Sequence, residues 1–186
     1  MKEYPGVVIK RERRRSFALS RQADTFLLKV PLLAGGWEIR AFLKKNEGWM
    51  QRRLAEEEQL KNYRQQQGVL TKEEIKTLKK KADLLIRERL AYYGPLAGVS
   101  WNRVSIRAQK ARWGSCSSKG NLNFNCLLAL APPKVLDSVV VHELCHLKEM
   151  NHSPRFYAEV LRLMPDYKIH QKWLKEEGRR LLSRLK

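Results

Sequence analysis

His142-Glu143-Leu144-Cys145-His146 sets two imidazoles four residues apart with a carboxylate between them. On a helix, positions i and i+4 share a face, so both imidazoles can bind one metal ion while Glu143 reaches a water on that ion. His152 follows, giving HExxHxxxxxH, and three of the chain's four histidines fall within this short stretch. Three neutral nitrogen ligands leave a fourth coordination position open, the arrangement of a catalytic zinc rather than a closed structural one. Zinc so held lowers the pKa of water from 15.7 to about 7 and polarises the bond under attack, and Glu143 can take the proton and later pass it to the leaving group. Core histidines that merely satisfy hydrogen bonds would need no such neighbour. A carboxylate buried on an apolar helix is expensive without a task.

The elements that must position these groups are legible around them. Val135, Leu136, Val139, Val140, Leu144 and Leu147 make the helix through the motif apolar around most of its circumference, which predicts that it is buried. Pro132-Pro133 can open it, because proline is tolerated in a first helical turn. Glu149-Met150-Asn151 would end it, and Ser153-Pro154 would cap and open the next helix, so His152 falls in a tight turn able to fold back on the first two imidazoles. Upstream, Val104 and Ile106 alternate with Ser105 and Arg107, and Leu122, Phe124 and Cys126 alternate with Asn121, Asn123 and Asn125. Two half-buried strands are predicted there, with a turn between them in Arg112–Gly120.

Further candidates surround the motif. Arg112, Trp113, Gly114 and Ser115 are candidate substrate-binding residues, either as an edge strand to which an extended peptide adds or as a turn with a buried tryptophan. Arg155 and Tyr157 are candidates for substrate binding, and with Tyr167 and His170 for stabilising a developing oxyanion. Asp166 either orients a ligand imidazole or caps a helix near Pro165. Cys116 is either a redox or latency ligand to the zinc or a small buried apolar residue, and Cys145 is read as packing.

Short β-favouring runs over residues 6 to about 33 suggest a small antiparallel hairpin or meander. Helix-forming composition follows from Trp37 to about Gln67. A second helix opens at the capping box Thr71-Lys72-Glu73-Glu74 and is expected to stop at Gly94-Pro95. The expected organisation is a β-hairpin and helical scaffold over 1–94 and a zinc-binding catalytic region over 95–186, together one compact α+β domain. At 186 residues and 43% hydrophobic composition there is material for a core, and disorder is excluded. The formal net charge of +19 is shared by both halves and favours polyanions, so nucleic acid, nucleotides or acidic proteins are candidate partners. Lys10–Arg15, the densest basic run, reads as a solvated strand or hairpin segment. No apolar stretch approaches the roughly 20 residues of a membrane span, and three cysteines without a disulfide framework fit a reducing compartment; a cytoplasmic protein without membrane attachment is expected.

RWGSCSSKGNLNFN, VVVHELCHLKEMNHSPRFY and MPDYK together closely resemble the YgjP-like metallopeptidase family, related to the SprT and Spartan-like zinc proteases. The resemblance covers roughly residues 10 to 175 and is most specific from Arg112 to Lys168. It implies a minimal zincin-like domain, a small antiparallel sheet packed on the HExxH helix, with His142, His146 and His152 as zinc ligands and Glu143 as general base. The expected activity is peptide-bond hydrolysis on a protein or peptide substrate. Related domains have also been assigned nucleotide pyrophosphatase activity, so a metal-dependent nucleoside triphosphate pyrophosphatase, for example on UTP, is the alternative. A nucleic-acid-binding protein with a structural zinc is a third reading, disfavoured by the open coordination position.

Overall fold

The protein is represented by a computed structural model that describes residues 4, 6–22 and 24–185. It falls into two compact units, the first ending at Lys61 and the second beginning at Asn62, a boundary inside a helix. In the first unit β1 (Val7–Glu12), β2 (Ala18–Gln22) and β3 (Thr25–Pro31) form a sheet ordered β1-β3-β2. Alternation along β3 turns Phe26, Leu28 and Val30 into a core with Ile39 and Leu43 of α1 (Gly36–Gln67). β2 and β3 pair antiparallel, as expected, but β1 lies parallel to β3, with Val7 opposite Phe26. A meander would have put the more polar β2 in the centre. The most apolar strand, β3, takes that place instead, and a period of two along a strand is blind to the direction of its neighbour. The basic run lies partly in β1, where Arg11 donates to the carbonyls of Leu32 and Ala34 at 2.8 and 2.9 Å.

The second unit carries the site. Its first full helix, α2 (Lys72–Ala97), opens with the capping box: Thr71 N–H donates to Glu74 Oε2 at 2.7 Å, and Glu74 N–H donates back to Thr71 Oγ1 at 3.2 Å. The expected stop at Gly94-Pro95 does not occur; the helix runs one turn further and ends at Gly98, whose φ of 64° is left-handed. Pro95 inside the helix removes one i→i−4 bond and crowds the carbonyl four residues back, and the helix nevertheless continues to its glycine cap. Gly94 serves packing instead, since a Cβ there would lie 2.7 Å from the Trp101 ring.

β4 (Arg103–Arg107), β5 (Gly114–Cys116) and β6 (Asn121–Asn125) form a second sheet ordered β4-β6-β5. β5 and β6 are antiparallel, β4 and β6 parallel. The segment read as a turn thus contains a third strand, at the sheet's edge. A 3-10 turn over Cys126–Leu130 leads into α3 (Pro133–Cys145), followed by α4 (Pro154–Leu163) and α5 (Tyr167–Leu182). α3 is buried nearly all round against α2, α4, α5 and β5, with Val140 and Leu144 packed among Ile86, Leu90, Phe124 and Phe156. Its one buried acidic residue outside the motif, Asp137, is paired by Arg89 of α2 at 2.7 Å and by the Tyr93 hydroxyl at 3.2 Å, so the charge is compensated where it is desolvated.

Candidate metal centre

α3 delivers His142 and Glu143 from its last turn, and His146 caps its C-terminus with helical φ and ψ of −65° and −19°. His152 comes from the turn between α3 and α4. That turn is fixed by Ser153, whose hydroxyl accepts from Phe156 N–H at 3.2 Å while Pro154 takes the first helical position, as the sequence indicates. The fold-back brings the Nε2 atoms of His146 and His152 each to 3.1 Å from Nε2 of His142. Phe156 of α4, fully buried, lies against all three rings at centroid distances of 4.5–5.0 Å.

The outer nitrogens of His142 and His146 are also engaged. His146 Nδ1 lies 3.1 Å from the Glu149 carbonyl, which can only accept, so Nδ1 carries the proton and Nε2 presents a lone pair to the centre. His142 Nδ1 meets the Tyr167 hydroxyl at 2.6 Å, and Gln171 Nε2 donates to the same hydroxyl. Burial, and then the neighbouring His146 and His152, press the pKa of His142 down to about 3, which keeps it in the neutral form that ligates metal. Burial likewise lowers that of His146.

These features fit a cation. The 3.1 Å spacing of the Nε2 atoms from that of His142 approaches the roughly 3.3 Å separating ligand atoms on a tetrahedral zinc with bonds of about 2.0–2.1 Å. Among the described residues, these three histidines form the one group placed to hold a metal ion. Glu143 is 4% exposed, its Oε2 has no hydrogen-bond partner among the described residues, and burial raises its pKa to about 8. A buried carboxyl oxygen left without a hydrogen-bond partner fits a site that holds a cation and its water.

Glu143 faces the edge strand. A Cβ built on Gly114 would lie 2.8 Å from both Cγ and Cδ of Glu143, so the glycine backbone passes directly over the carboxyl. Trp113 beside it packs on α5 at Gly178. Both sequence readings of this segment therefore hold in part: there is an edge strand, and its tryptophan is half-buried. The lead-in is held by Asn125, whose Nδ2 donates to the carbonyls of Gln109 and Arg112 at 2.6 and 2.8 Å. His142, Glu143, Arg112, Trp113 and Gly114 line a cleft of about 580 Å³, closed on its other side by Tyr167, Gln171, Lys175 and Arg179.

Other expected residues fall elsewhere. Ser115 points its hydroxyl to Asn123 Nδ2 at 3.2 Å and is not part of the cleft wall. Arg155 is exposed and does not line this cleft. Tyr157, 41% exposed, stacks 6.1 Å from His152. Tyr167 is buried and lines the cleft with its hydroxyl held against Nδ1 of His142, and His170 pairs with Asp166 at 3.0 Å and is not part of the cleft wall. Cys116 is half-buried and lies outside the histidine group, its thiol pKa raised by burial and by the Glu143 charge. Cys145 is core. Phe156, Asn125 and Gln171 escaped the sequence reading because ordinary apolar and amide residues carry no local signal of a role beside a metal.

Tyr167→Phe keeps the ring but removes the hydroxyl beside His142. Metal affinity is expected to fall by about 10- to 100-fold, read by competition with a chromogenic chelator; unchanged affinity would show that the hydroxyl does not orient the ligand.

A helix-borne HExxH with a third histidine folded onto it is the arrangement of a metallopeptidase. Residues 64–177 match the model of the YgjP-like metallopeptidase domain, and the chain belongs to that family. Among solved structures it is similar to the metallopeptidase zymogen abylysin of Pyrococcus abyssi, 23% identical with a TM-score of 0.45 over 50% of this chain and 95% of that one. It is also similar to the zymogen jannalysin of Methanocaldococcus jannaschii, 18% identical with a TM-score of 0.41 over 52% of this chain and 96% of that one. Likenesses this distant leave mechanism and substrate to the chain's own residues. No curated protein sequence is detectably similar to it. Among the described residues no helix is long and apolar enough to cross a membrane.

Proposed function

We propose that this metallopeptidase is zinc-dependent, with His142, His146 and His152 holding the ion and Glu143 acting as general base on a peptide bond. The observation that carries this reading is the convergence of three Nε2 atoms beside a buried carboxyl whose Oε2 has no hydrogen-bond partner among the described residues. Zinc bound there supplies Lewis acidity, bringing the pKa of a water near 7 and polarising the scissile carbonyl. Glu143 accepts the proton of the attacking water on a carboxylate oxygen and delivers it to the leaving amine nitrogen. The Tyr167 hydroxyl and the Glu149 carbonyl hold His142 and His146 in the orientation that keeps Nε2 directed inward.

The substrate backbone is taken as an extended segment added to the free edge of β5, where Trp113 and Gly114 border the cleft. Tyr157, exposed beside His152, offers a hydroxyl to the developing oxyanion. Three imidazoles without a carboxylate ligand suit zinc better than the magnesium usual in triphosphate chemistry, which favours peptide over phosphoanhydride hydrolysis. The test is metal analysis of the purified protein, then incubation of the zinc-loaded form with casein and, in parallel, with nucleoside triphosphates. About one zinc per chain with casein cleavage is expected. Release of pyrophosphate with casein intact would overturn the peptidase reading in favour of the alternative.

A further inference from the structure

Lys168, Lys172, Lys175 and Arg179 follow one another along α5 at intervals of four, three and four residues. At 100° per residue they occupy an arc of about 60° and run for roughly 16 Å along the helix. This cationic stripe coincides with the concave surface at the site. Lys175 and Arg179 line the cleft that holds Glu143, and Lys168, Lys172 and Lys175 line a second cleft of about 540 Å³ that shares Tyr167, Gln171 and Lys175 with the first. Across the first cleft stands Arg112. The carboxylates that line the two clefts are the buried Glu143 and, at the rim of the second, Glu176.

We propose that this stripe makes the enzyme selective for acidic peptide segments, with aspartate or glutamate side chains on the residues flanking the scissile bond. The inference rests on the peptidase reading above and deepens it. Roughly 16 Å accommodates about five residues of extended chain at 3.3 Å each, and side chains on one face of such a chain recur every 6–7 Å. Cations three to four residues apart on a helix recur every 4.5–6 Å, so alternate acidic side chains meet successive cations. A peptide is favoured over a nucleic acid because the wall opposite the stripe is a strand edge, whose backbone groups pair with amides that a phosphodiester chain lacks. The charge is local as well as general. The whole chain's excess would steer any polyanion toward the protein, whereas a stripe inside the substrate clefts discriminates at the bound stage.

The experiment uses the zinc-loaded full-length protein and fluorogenic peptides of one sequence whose flanking positions carry Asp and Glu, their amides, or lysine. The acidic set is expected to show a kcat/KM about tenfold above the amide set at low salt, with the advantage fading near 0.5 M salt. The double variant Lys172→Glu, Lys175→Glu should invert the order of the acidic and lysine sets. Lys80→Glu, Lys81→Glu changes the net charge equally from α2, which lines neither cleft, and should leave the order in place. Equal cleavage of all three sets, or an equal shift by the two double variants, overturns the acidic selectivity while leaving the peptidase reading intact. Cleavage of no peptide by the wild type overturns both. Tight binding of a single-stranded oligonucleotide that depends on Lys172 and Lys175, with the acidic peptides no better cleaved than their amides, assigns the stripe to nucleic acid and overturns the proposal.

Discussion

Glu143→Gln is expected to lower kcat by about 10²- to 10⁴-fold while the protein retains its metal. Glutamine has nearly the same shape, so packing beneath Gly114 and the placement of His142 and His146 are kept. What disappears is an oxygen able to accept a proton. No second carboxylate stands ready to replace it: among the described residues Glu143, 4% exposed, is the one carboxylate that lines the cleft beside His142. His146→Ala supplies the contrast, since it removes a ligand and should lose metal and activity together. Metal content and peptide cleavage measured on both variants separate the two losses. Undiminished cleavage by Glu143→Gln would remove the general base from the mechanism.

The parts of this site that were legible in sequence are those in which position along the chain dictates position in space. HExxH is a statement about one face of one helix, and Ser153-Pro154 states where the next helix begins; the turn carrying His152 is constrained between them. The capping box at Thr71 is local in the same way. The rest depends on contacts between distant segments. Tyr167 lies 25 residues from His142, and no periodicity announces that its hydroxyl will stand behind that ring. The parallel placement of β1 beside β3 and of β4 beside β6 is hidden because alternation has the same period in either direction. Gly94-Pro95 shows the opposite failure: a strong local stop signal was outweighed by a helix that continues past the proline, losing one bond and crowding a carbonyl, while Gly94 packs against Trp101.

Gly114→Ala is the sharpest test of how the edge strand serves the carboxyl. The backbone of Gly114 is not left-handed, so an alanine is conformationally acceptable, and on general grounds it would stiffen the unfolded chain slightly in favour of folding. Space is the difficulty, because the new methyl would stand 2.8 Å from Cγ and Cδ of Glu143. Of the two, the carboxyl end of a flexible side chain yields more readily than the strand or the buried helix. The fold should therefore survive and the proton acceptor should move by an appreciable fraction of an ångström. A displacement of about 1 Å in a reacting group can cost 10²-fold, and a fall in kcat of about that size is expected, with metal content unchanged. A purely structural role for Gly114 would instead lower the melting temperature and leave kcat alone. The double variant Gly114→Ala, Glu143→Gln decides between direct and indirect action: if the glycine acts through the carboxyl, its substitution adds little once the carboxyl is gone. Full additivity of the two losses would mean that Gly114 serves the substrate, as part of the strand edge, and not the base.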